Sequence, residues 1–419
     1  MSQSALRTPR FTAFFVAAAI SNAAGWMQTV AVPALLFDLT HQSTWLGLAT
    51  VANIAPAVLL ATPAGVLSDR VDRRLILLAT QLLQLAAATA LWWLYHTDQL
   101  TPGRILLVGF VGGVATGFQS PTWQAFIPSL VPQEAMLDAV RLNTLQFTLA
   151  RAVGPAAAGV VVKQWGISWA IGINAVTYVL PVVVLLIIST PRNAVMGAGT
   201  RALDALRDGA RYVWRERGLR LVVLLSLLTA TLGQSFQFIA PAISKRIFGH
   251  SSEDNSTLLA ALGVGGLVAA LFARRLISHR ARLPHAMTAV LALYAVTPLL
   301  VAATSDFRVG VAGYFLGGMA HVINAVSINA FIQSYAPDHL RGRVMSFYLL
   351  AILGGIQVGT FLMGWLGDRI GMRVTVLVDA AAMTVISAWL VERGALRVLG
   401  EFSPDSHHEG ATPGVTVTA

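Results

Sequence analysis

Four candidates for proton coupling lie within, or at the end of, long apolar stretches of this chain, where a charge is costly. They are Asp38, Arg151, His321 and Asp379. A charged group at membrane depth faces a water-filled cavity or a partner of opposite charge, so each residue is a candidate for proton coupling. Histidine ordinarily titrates near neutral pH, which suits His321 to that task. The alternatives are a structural ion pair for Arg151, a hydrogen-bonded core histidine and an interfacial position for Asp38.

Uncharged polar and tryptophan side chains recur at helical spacing within the same apolar stretches. Asn22, Trp26 and Thr29 share one face of the first stretch by their i, i+4, i+7 spacing. Such residues can line a polar cavity, or they can hydrogen-bond between helices and only hold a bundle together. With so little charge, a cavity of this kind suits a neutral or cationic amphiphile better than a phosphorylated or dicarboxylate compound. The same argument groups Thr116 with Gln119 and Trp123, Gln234 with Gln237, and His321 with Asn324.

The residue patterns of enzymes and cofactor-binding proteins are missing from the sequence. We find no nucleophile–base pair and no metal-ligating cluster, and the chain has 0 Cys. The adjacent His407 and His408 lie in a polar C-terminal stretch, which makes them a poor metal site. We therefore expect no enzyme activity, no cofactor and no bound metal.

The composition is that of a polytopic membrane protein. Charged residues make up 11% of the chain, whereas about 25% is usual in soluble domains. The net charge is +10, but the chain has no polar domain on which a basic patch could form, which argues against nucleic-acid binding. Apolar runs of about 20 residues predict twelve membrane-spanning helices. We place them at 12–37, 45–67, 75–95, 102–124, 141–162, 167–189, 220–244, 257–277, 284–304, 308–333, 343–366 and 373–391.

The distribution of basic residues predicts the orientation of the chain. With the N-terminus inside, the inside segments hold roughly three Lys or Arg residues for each one outside. This bias predicts a multi-pass membrane protein with both termini in the cytoplasm. The polar start MSQSALRTPR is followed directly by a full-length apolar run, so we expect no cleavable signal peptide.

One long connection divides the chain into six helices plus six. Residues 190–219 carry Leu203, Leu206, Ala210 and Val213 at helical spacing among several Arg residues. This pattern predicts an amphipathic helix on the cytoplasmic membrane surface. Residues 1–189 and 220–399 then form two six-helix bundles, and the polar tail 400–419 is expected to be disordered.

An internal repeat relates the two bundles. A shift of 205 positions places residues 110–132 on residues 315–337, where glycines, alanines and the motif Ala-Phe-Ile recur. The same shift matches Gly154 with Gly359, Gly159 with Gly364 and Gly166 with Gly371 without a gap. The halves are therefore predicted to be parallel repeats related by an axis along the membrane normal, with the substrate site between them.

The connection between the second and third predicted helices carries the stretch GVLSDRVDRR. Gly65 lets backbones approach, Asp69 can accept from helix-end N–H groups or a guanidinium, and Arg70, Arg73 and Arg74 mark the connection as cytoplasmic. This stretch resembles the signature loop of major facilitator superfamily (MFS) transporters. The twelve predicted spans, the duplicated set of six helices and the long central loop of the chain add to this resemblance. The resemblance covers essentially the whole chain.

Three further stretches, 119–159, 208–228 and 336–350, resemble the bacterial branch that holds macrolide and multidrug exporters and the enterobactin exporter. That resemblance implies export of amphiphilic organic molecules by proton antiport, with the two halves rocking between alternating states. It also implies a cavity lined by helices 1, 4, 7 and 10, and a cytoplasmic latch formed by Asp69 and the neighbouring arginines. One departure is that Gly154-Pro155 is followed by three alanines and Gly159, not by the antiporter pattern Gly-Pro-x-x-Gly-Gly.

Other functions remain open on the same fold. They are proton-coupled uptake of a small metabolite, lysolipid flipping, and a membrane sensor that transports nothing. The sequence offers no sugar or anion clamp in support of uptake, and the loop signature with its polar residues argues against a sensor. We expect a monomer in the lipid bilayer, acting on protons and a small amphiphilic substrate.

Overall fold

The computed structural model of the chain describes residues 4–188, 210–277 and 282–400. Within these ranges the side chains of Asp69, Arg151 and Arg274 also lie outside the described part. The described residues form helices joined by short connections, with no β-strand among them. The prediction of an all-α membrane protein is confirmed.

The first half holds six helices. They are α1 (Pro9–Thr40), α2 (Thr44–Arg70), α3 (Arg73–His96), α4 (Pro102–Phe126), α5 (Met136–Trp165) and α6 (Ile167–Ile187). In two of these helices the residue just before the first turn caps the helix with its side chain, because the first N–H groups of a helix have no partner within it. Asp72 accepts the N–H of Arg74 at 2.9 Å before α3, and Thr101 accepts the N–H of Arg104 at 3.4 Å before α4.

The second half holds the corresponding six helices. They are α7 (Arg217–Arg246), α8 (Asn255–Ile277), α9 (Leu283–Ala303), α10 (Phe307–Tyr335), α11 (Asp338–Ile370) and α12 (Met372–Glu392). The predicted spans fall on these twelve helices, and the ends differ by a few residues. α7 is irregular in its middle, where a π-helical segment (Thr229–Gln234) is followed by a 3₁₀ segment (Ser235–Ile239). Such π-helical turns are rare and are frequent at functional sites.

Eleven of the described helices are long and apolar enough to cross a membrane. α5 is not among them, since the side chains at positions 148, 151 and 152 lie outside the described part and leave no described stretch of 18 residues in this helix. Its 30 residues are nevertheless long enough for the span predicted at 141–162, at about 1.5 Å per residue. α5 packs against α1 of its own half and α8 of the other. The described residues therefore support eleven spans by length and apolarity, and the length and packing of α5 fit the twelfth predicted span.

Matched glycines of the internal repeat make matched contacts. A Cβ on Gly113 of α4 would clash with the carbonyl of Asn53 on α2, and a Cβ on Gly318 of α10 would clash with the carbonyl of Leu262 on α8. α4 therefore packs on α2 as α10 packs on α8, with backbones in the close contact that small residues allow. Two other pairs also make close contacts, with Gly154 on Trp26, Gly359 on Thr231, Gly159 on Ser256 and Gly364 on Ser43.

Three apolar cores show where the two halves meet. One core contains residues of both halves, including Leu36, Phe37, Ile243 and Met363, and lies at the end of the α1–α2 and α7–α8 connections. At the opposite end each half has a core of its own. The halves are therefore joined at one end of the molecule, which we call the closed end.

The start of the second half is anchored by the last residues of the long connection. Residues 189–209, which include most of the predicted amphipathic helix, and 401–419 of the tail lie outside the described residues. Residues 210–215 are helical, and Val213 is 2% exposed in the core of the second half. Leu396 and Leu399, in a 3₁₀ turn after α12, enter the same core.

We expect Gly318→Ala to lower the free energy of unfolding, because the added methyl group meets the backbone of α8 and overpacking typically costs about 1–3 kcal/mol. Gly109→Ala on α4 is the matched control, since no heavy atom lies within 4 Å of a Cβ there. Thermal unfolding of the purified protein in detergent measures both. Equal melting temperatures for the two variants would contradict the close contact of α10 with α8.

Candidate functional site

Two adjoining cavities of 480 and 360 Å³ occupy the first half of the molecule. They share lining residues on four helices, namely Gly25, Thr29, Gln84, Thr116 and Tyr178, so together they form one continuous space, which we call the chamber. Its walls come from α1 to α6, and Phe238 of α7 is the one lining residue from the second half. Each cavity has the size of a typical small-molecule pocket, roughly 300–1,000 Å³.

Six of the nine predicted cavity residues line the 480 Å³ part of the chamber. Their helical spacing turns them to one side of α1 and of α4, and these two sides face each other across the space. Gly154 of α5 packs against the side chain of Trp26, which fixes the position of that indole ring at the wall. The six residues are Asn22, Trp26, Thr29, Thr116, Gln119 and Trp123.

Hydrogen bonds between amides hold the chamber wall together. Gln84 of α3 donates from Nε2 to Oε1 of Gln119 at 2.7 Å. The indole N–H of Trp123 donates to Oδ1 of Asn143 on α5 at 3.1 Å. Our sequence argument considered polar residues of helices 1, 4, 7 and 10, and therefore missed those on α3, α5 and α6. Amides within apolar runs were the available signal, and they include Gln81, Gln84, Asn143 and Asn174.

The three predicted residues of the second half are packed differently. Asn324 is 1% exposed and donates from Nδ2 to Oγ1 of Thr229 at 3.1 Å, within its own half. Gln237 borders a gap of 20 Å³ between the halves, beside Trp26. Gln234 borders a cavity of 10 Å³ together with His321, and neither space exceeds the volume of about one water.

The titratable candidates do not converge on one point. Asp379 on α12 is 5% exposed, and its Oδ2 atom has no hydrogen-bond partner. Asp38 is exposed near the end of α1. Burial, together with the charges of Asp38 and Asp254, raises the pKa of Glu253 in the α7–α8 connection. Arg151 lies on α5, but its side chain is outside the described part.

Asp368, near the end of α11, joins the two halves at the closed end. Its Oδ1 accepts the backbone N–H of Ser43 at 2.8 Å, and its Oδ2 accepts the N–H and hydroxyl of Thr44 at 2.7 and 2.6 Å. The carboxylate thus caps the N-terminus of α2 from the opposite half. Arg246 of α7 donates to Asp368 at 2.8 Å and to the carbonyl of His41 at 2.7 Å. We call Ser43, Thr44, Arg246 and Asp368 the inter-half clasp.

The sequence analysis did not single out the clasp. Arg246 and Asp368 fall just beyond the predicted spans 220–244 and 343–366, so they counted only as loop charges. The repeat held a signal, because Gly364 lies one turn before Asp368 and packs on the Ser43 carbonyl. A glycine matched between the halves and followed by a carboxylate indicates a helix that approaches another helix end.

The residues of the GVLSDRVDRR stretch bond within the first half in this conformation. Arg73 and Arg74 donate to carbonyl groups at the ends of α4 and α6, at 3.1 and 2.7 Å respectively. Gly65 meets open space, so the close backbone approach expected at this glycine is not formed here. Arg70 is exposed, and the side chain of Asp69 lies outside the described part. The latch role of this stretch stays a prediction.

The arrangement of two six-helix halves, a polar chamber and a single closed end is that of a membrane transporter built from two repeats. The family model described as "Transmembrane secretion effector" matches residues 1–417. The chain belongs to this family of the major facilitator superfamily, and it is a transporter, not an enzyme.

Relatives and solved structures agree with this assignment. The chain is 22% identical to macrolide efflux protein A of Streptococcus pyogenes, over 90% of this chain and 94% of that protein. It is 24% identical to the enterobactin exporter EntS of Salmonella typhi, over 96% and 95%. The nucleoside transporter NupG has the same fold, with a TM-score of 0.77 at 12% identity, covering 91% of this chain and 99% of that one. A bacterial homologue of the lysosomal transporter Spinster, in an inward-facing and unoccupied conformation, matches with a TM-score of 0.70 at 13% identity, over 95% and 99%.

We expect Asp368→Ala to open the closed end, because α2 loses its cap and Arg246 loses its carboxylate partner. The chain has 0 Cys, so spin labels on Gln42→Cys and Lys245→Cys, one on each half, report the separation without a background signal. Electron paramagnetic resonance should show a population at longer distance.

Asp306→Ala is the matched control for the clasp. Asp306 caps α10 by accepting the N–H of Arg308 at 2.9 Å, but this cap lies within one half. Its removal should leave the distance distribution of the labels unchanged. A distribution that stays the same in Asp368→Ala, or moves equally in both variants, would show that the clasp does not hold the closed end.

Proposed function

We propose that this transporter exports amphiphilic organic compounds from the bacterial cytoplasm in exchange for protons. It works as a monomer in the inner membrane with both termini in the cytoplasm, and its halves rock about the chamber. In that orientation the closed end faces outwards and the chamber receives substrate from the inside.

The observation that carries the proposal is the composition of the chamber wall. Its described lining residues are amides, hydroxyl groups, aromatic rings and aliphatic side chains, with no Asp, Glu, Lys, Arg or His among them. An amphiphile presents both apolar surface and hydrogen-bonding groups, and this wall matches both. A phosphorylated or dicarboxylate substrate would need cationic partners, since a buried charge without one is costly.

Relatives of this chain support export. They are named for the efflux of macrolides and the export of enterobactin, and a further relative at 21% identity is the staphyloferrin A transporter of Staphylococcus aureus. These names describe the relatives. Taken with the chamber, they favour efflux of bulky organic molecules over uptake of a small metabolite.

Proton coupling requires a group that binds and releases a proton during the cycle. Asp379 is the one carboxylate among the buried side chains of the described residues, and one of its oxygens lacks a hydrogen-bond partner. His321 borders the small cavity beside Gln234 and Tyr294 in the same half. The proton is therefore carried in the second half, and the substrate is bound in the first. Arg151 on α5 remains the coupling candidate nearest the chamber along the chain.

We expect Asp379→Asn to lower proton-driven export at least tenfold while substrate-for-substrate exchange persists, because the amide cannot carry the proton. Everted vesicles with an acidic lumen measure this, with the pH gradient followed while macrolides, cationic dyes and catecholate siderophores are added. Arg151→Ala and His321→Gln are compared in the same assay. The control is Ser387→Ala, which removes another buried, unpartnered group from α12.

Two outcomes would contradict the proposal. A pH gradient that no compound dissipates, with well-folded protein present, would move the function to uptake or to a non-transporting role. If the dissipation of the pH gradient is inhibited only by competing lysolipids, the protein is a flippase. Full proton-driven export in Asp379→Asn, Arg151→Ala and His321→Gln would show that none of these residues couples transport to protons. Such a result would not contradict export.

We expect Asp69→Asn to abolish transport while expression stays at the wild-type level. The reason is the latch that the superfamily resemblance implies, which needs the negative charge when the cytoplasmic side closes. Substrate export from whole cells, together with the amount of protein in the membrane, measures the two effects.

Asp72→Asn is the matched control for the latch. Asp72 lies three residues further on and caps α3 by accepting the N–H of Arg74. This variant should retain transport at nearly unchanged stability, because asparagine caps a helix about as well as aspartate. Normal transport by Asp69→Asn would remove the latch role.

A further inference from the structure

Several amide atoms at the chamber wall have no hydrogen-bond partner. Gln81 of α3 is 2% exposed and its Oε1 is unpaired, and Asn174 of α6 is 1% exposed with an unpaired Oδ1. On α1, the Nδ2 group of Asn22 is also buried and unpaired. All three residues line the chamber. An unsatisfied buried polar group typically costs about 1–3 kcal/mol, so these atoms favour a ligand that pairs with them.

The paired amides nearby show that the unpaired ones are positioned and not loose. Asn174 donates through Nδ2 to Oε1 of Gln28 on α1, which leaves its Oδ1 as the free acceptor. The hydroxyl of Thr177 donates to the backbone carbonyl of Asn174 at 2.8 Å and stabilises the same turn of α6. The free acceptor of Asn174 is therefore fixed by the fold before any ligand enters.

Trp123 adds to the wall without offering an open aromatic face to a cation. The indole of Trp123 is 4% exposed, with the Phe14 ring at 4.6 Å and the Phe147 ring at 6.1 Å between centroids. A cation binds best over an accessible aromatic face. Trp123 thus contributes apolar surface to the chamber.

We propose that the chamber selects an uncharged amphiphile carrying several hydroxyl or amide groups, and that Gln81 and Asn174 are specificity-determining residues for it. This inference rests on the proposed function and narrows its substrate class. The ligand's donors pair with Gln81 and Asn174, and an acceptor pairs with Asn22. An ionised compound loses its hydration in the chamber and finds no countercharge among the described lining residues.

The test is equilibrium binding to the full chain in lipid nanodiscs, which needs neither a proton gradient nor turnover. The probes are 6-deoxyerythronolide B, an uncharged macrolactone with hydroxyl groups, and erythromycin, a macrolide with an ionised dimethylamine. We expect the uncharged probe to bind at least tenfold more tightly at neutral pH. Equal or tighter binding of erythromycin, or binding of neither probe, would overturn the inference.

Three variants separate recognition from folding. Gln81→Leu and Asn174→Leu should each weaken binding of the uncharged probe about tenfold, as the loss of one hydrogen bond of about 1.4 kcal/mol predicts. The matched control is Gln146→Leu, since Gln146 is 4% exposed with both amide atoms unpaired but does not line the chamber. Unchanged affinity in the first two variants, or an equal loss in the control, would overturn the assignment.

A fourth variant, Arg151→Gln, examines the charge that follows the lining residue Phe147 by four positions on α5. The preference for the uncharged probe should persist in it, and its disappearance would assign the selectivity to Arg151 instead. Because these are binding measurements, the inference can fail while the vesicle experiment still reports proton-driven export. A failure of export with probe binding intact would in turn affect only the proposed function.

Discussion

The N–H groups at the start of α2 have no partners within that helix, and they lie where the two halves of the molecule meet. Asp368 supplies the missing acceptors from the opposite half and is itself held by Arg246. The contact is possible because Gly364 of α11 and Gly47 of α2 carry no side chain, so the two backbones approach one another. A polar bond of this kind can form and break during a transport cycle. The closed end thus combines a capped helix with an apolar seam around it.

The two halves share one fold but use it differently. The repeat matches Gln119 with Asn324, but their surroundings differ. Gln119 lines the chamber and accepts a hydrogen bond from Gln84, whereas Asn324 is buried inside the second half and donates to Thr229. The π-helical and 3₁₀ segments of α7 bring Thr229 and Gln234 into that interior. As a result the first half offers a chamber for an organic molecule, and the second holds small polar spaces and a buried carboxylate. The large described cavities and the buried carboxylate therefore lie in different halves of the molecule.

Much of the candidate site was accessible from helical spacing alone. Asn22, Trp26 and Thr29 were grouped on one face of α1, and this face does border the chamber. The spacing argument depends only on 3.6 residues per turn, which the chain obeys throughout α1 and α4. It failed for Gln81 and Asn174, because helical periodicity states which residues share a face but not which face meets a cavity. It also overlooked Asp368, because the helix N-terminus that this residue caps lies 324 residues away along the chain.

The sequence by itself determined the membrane environment, the helices and their duplication, because apolar length and a repeated pattern of small residues leave few other folds for such a chain. It also determined the superfamily through a short charged connection and the repeat. The tertiary structure decided which polar residues line a chamber, which amides remain unpaired, and where the halves are joined. Those properties depend on distances between helices that are remote in sequence, and equivalent residues in the two halves reach different surroundings because the packing around them differs.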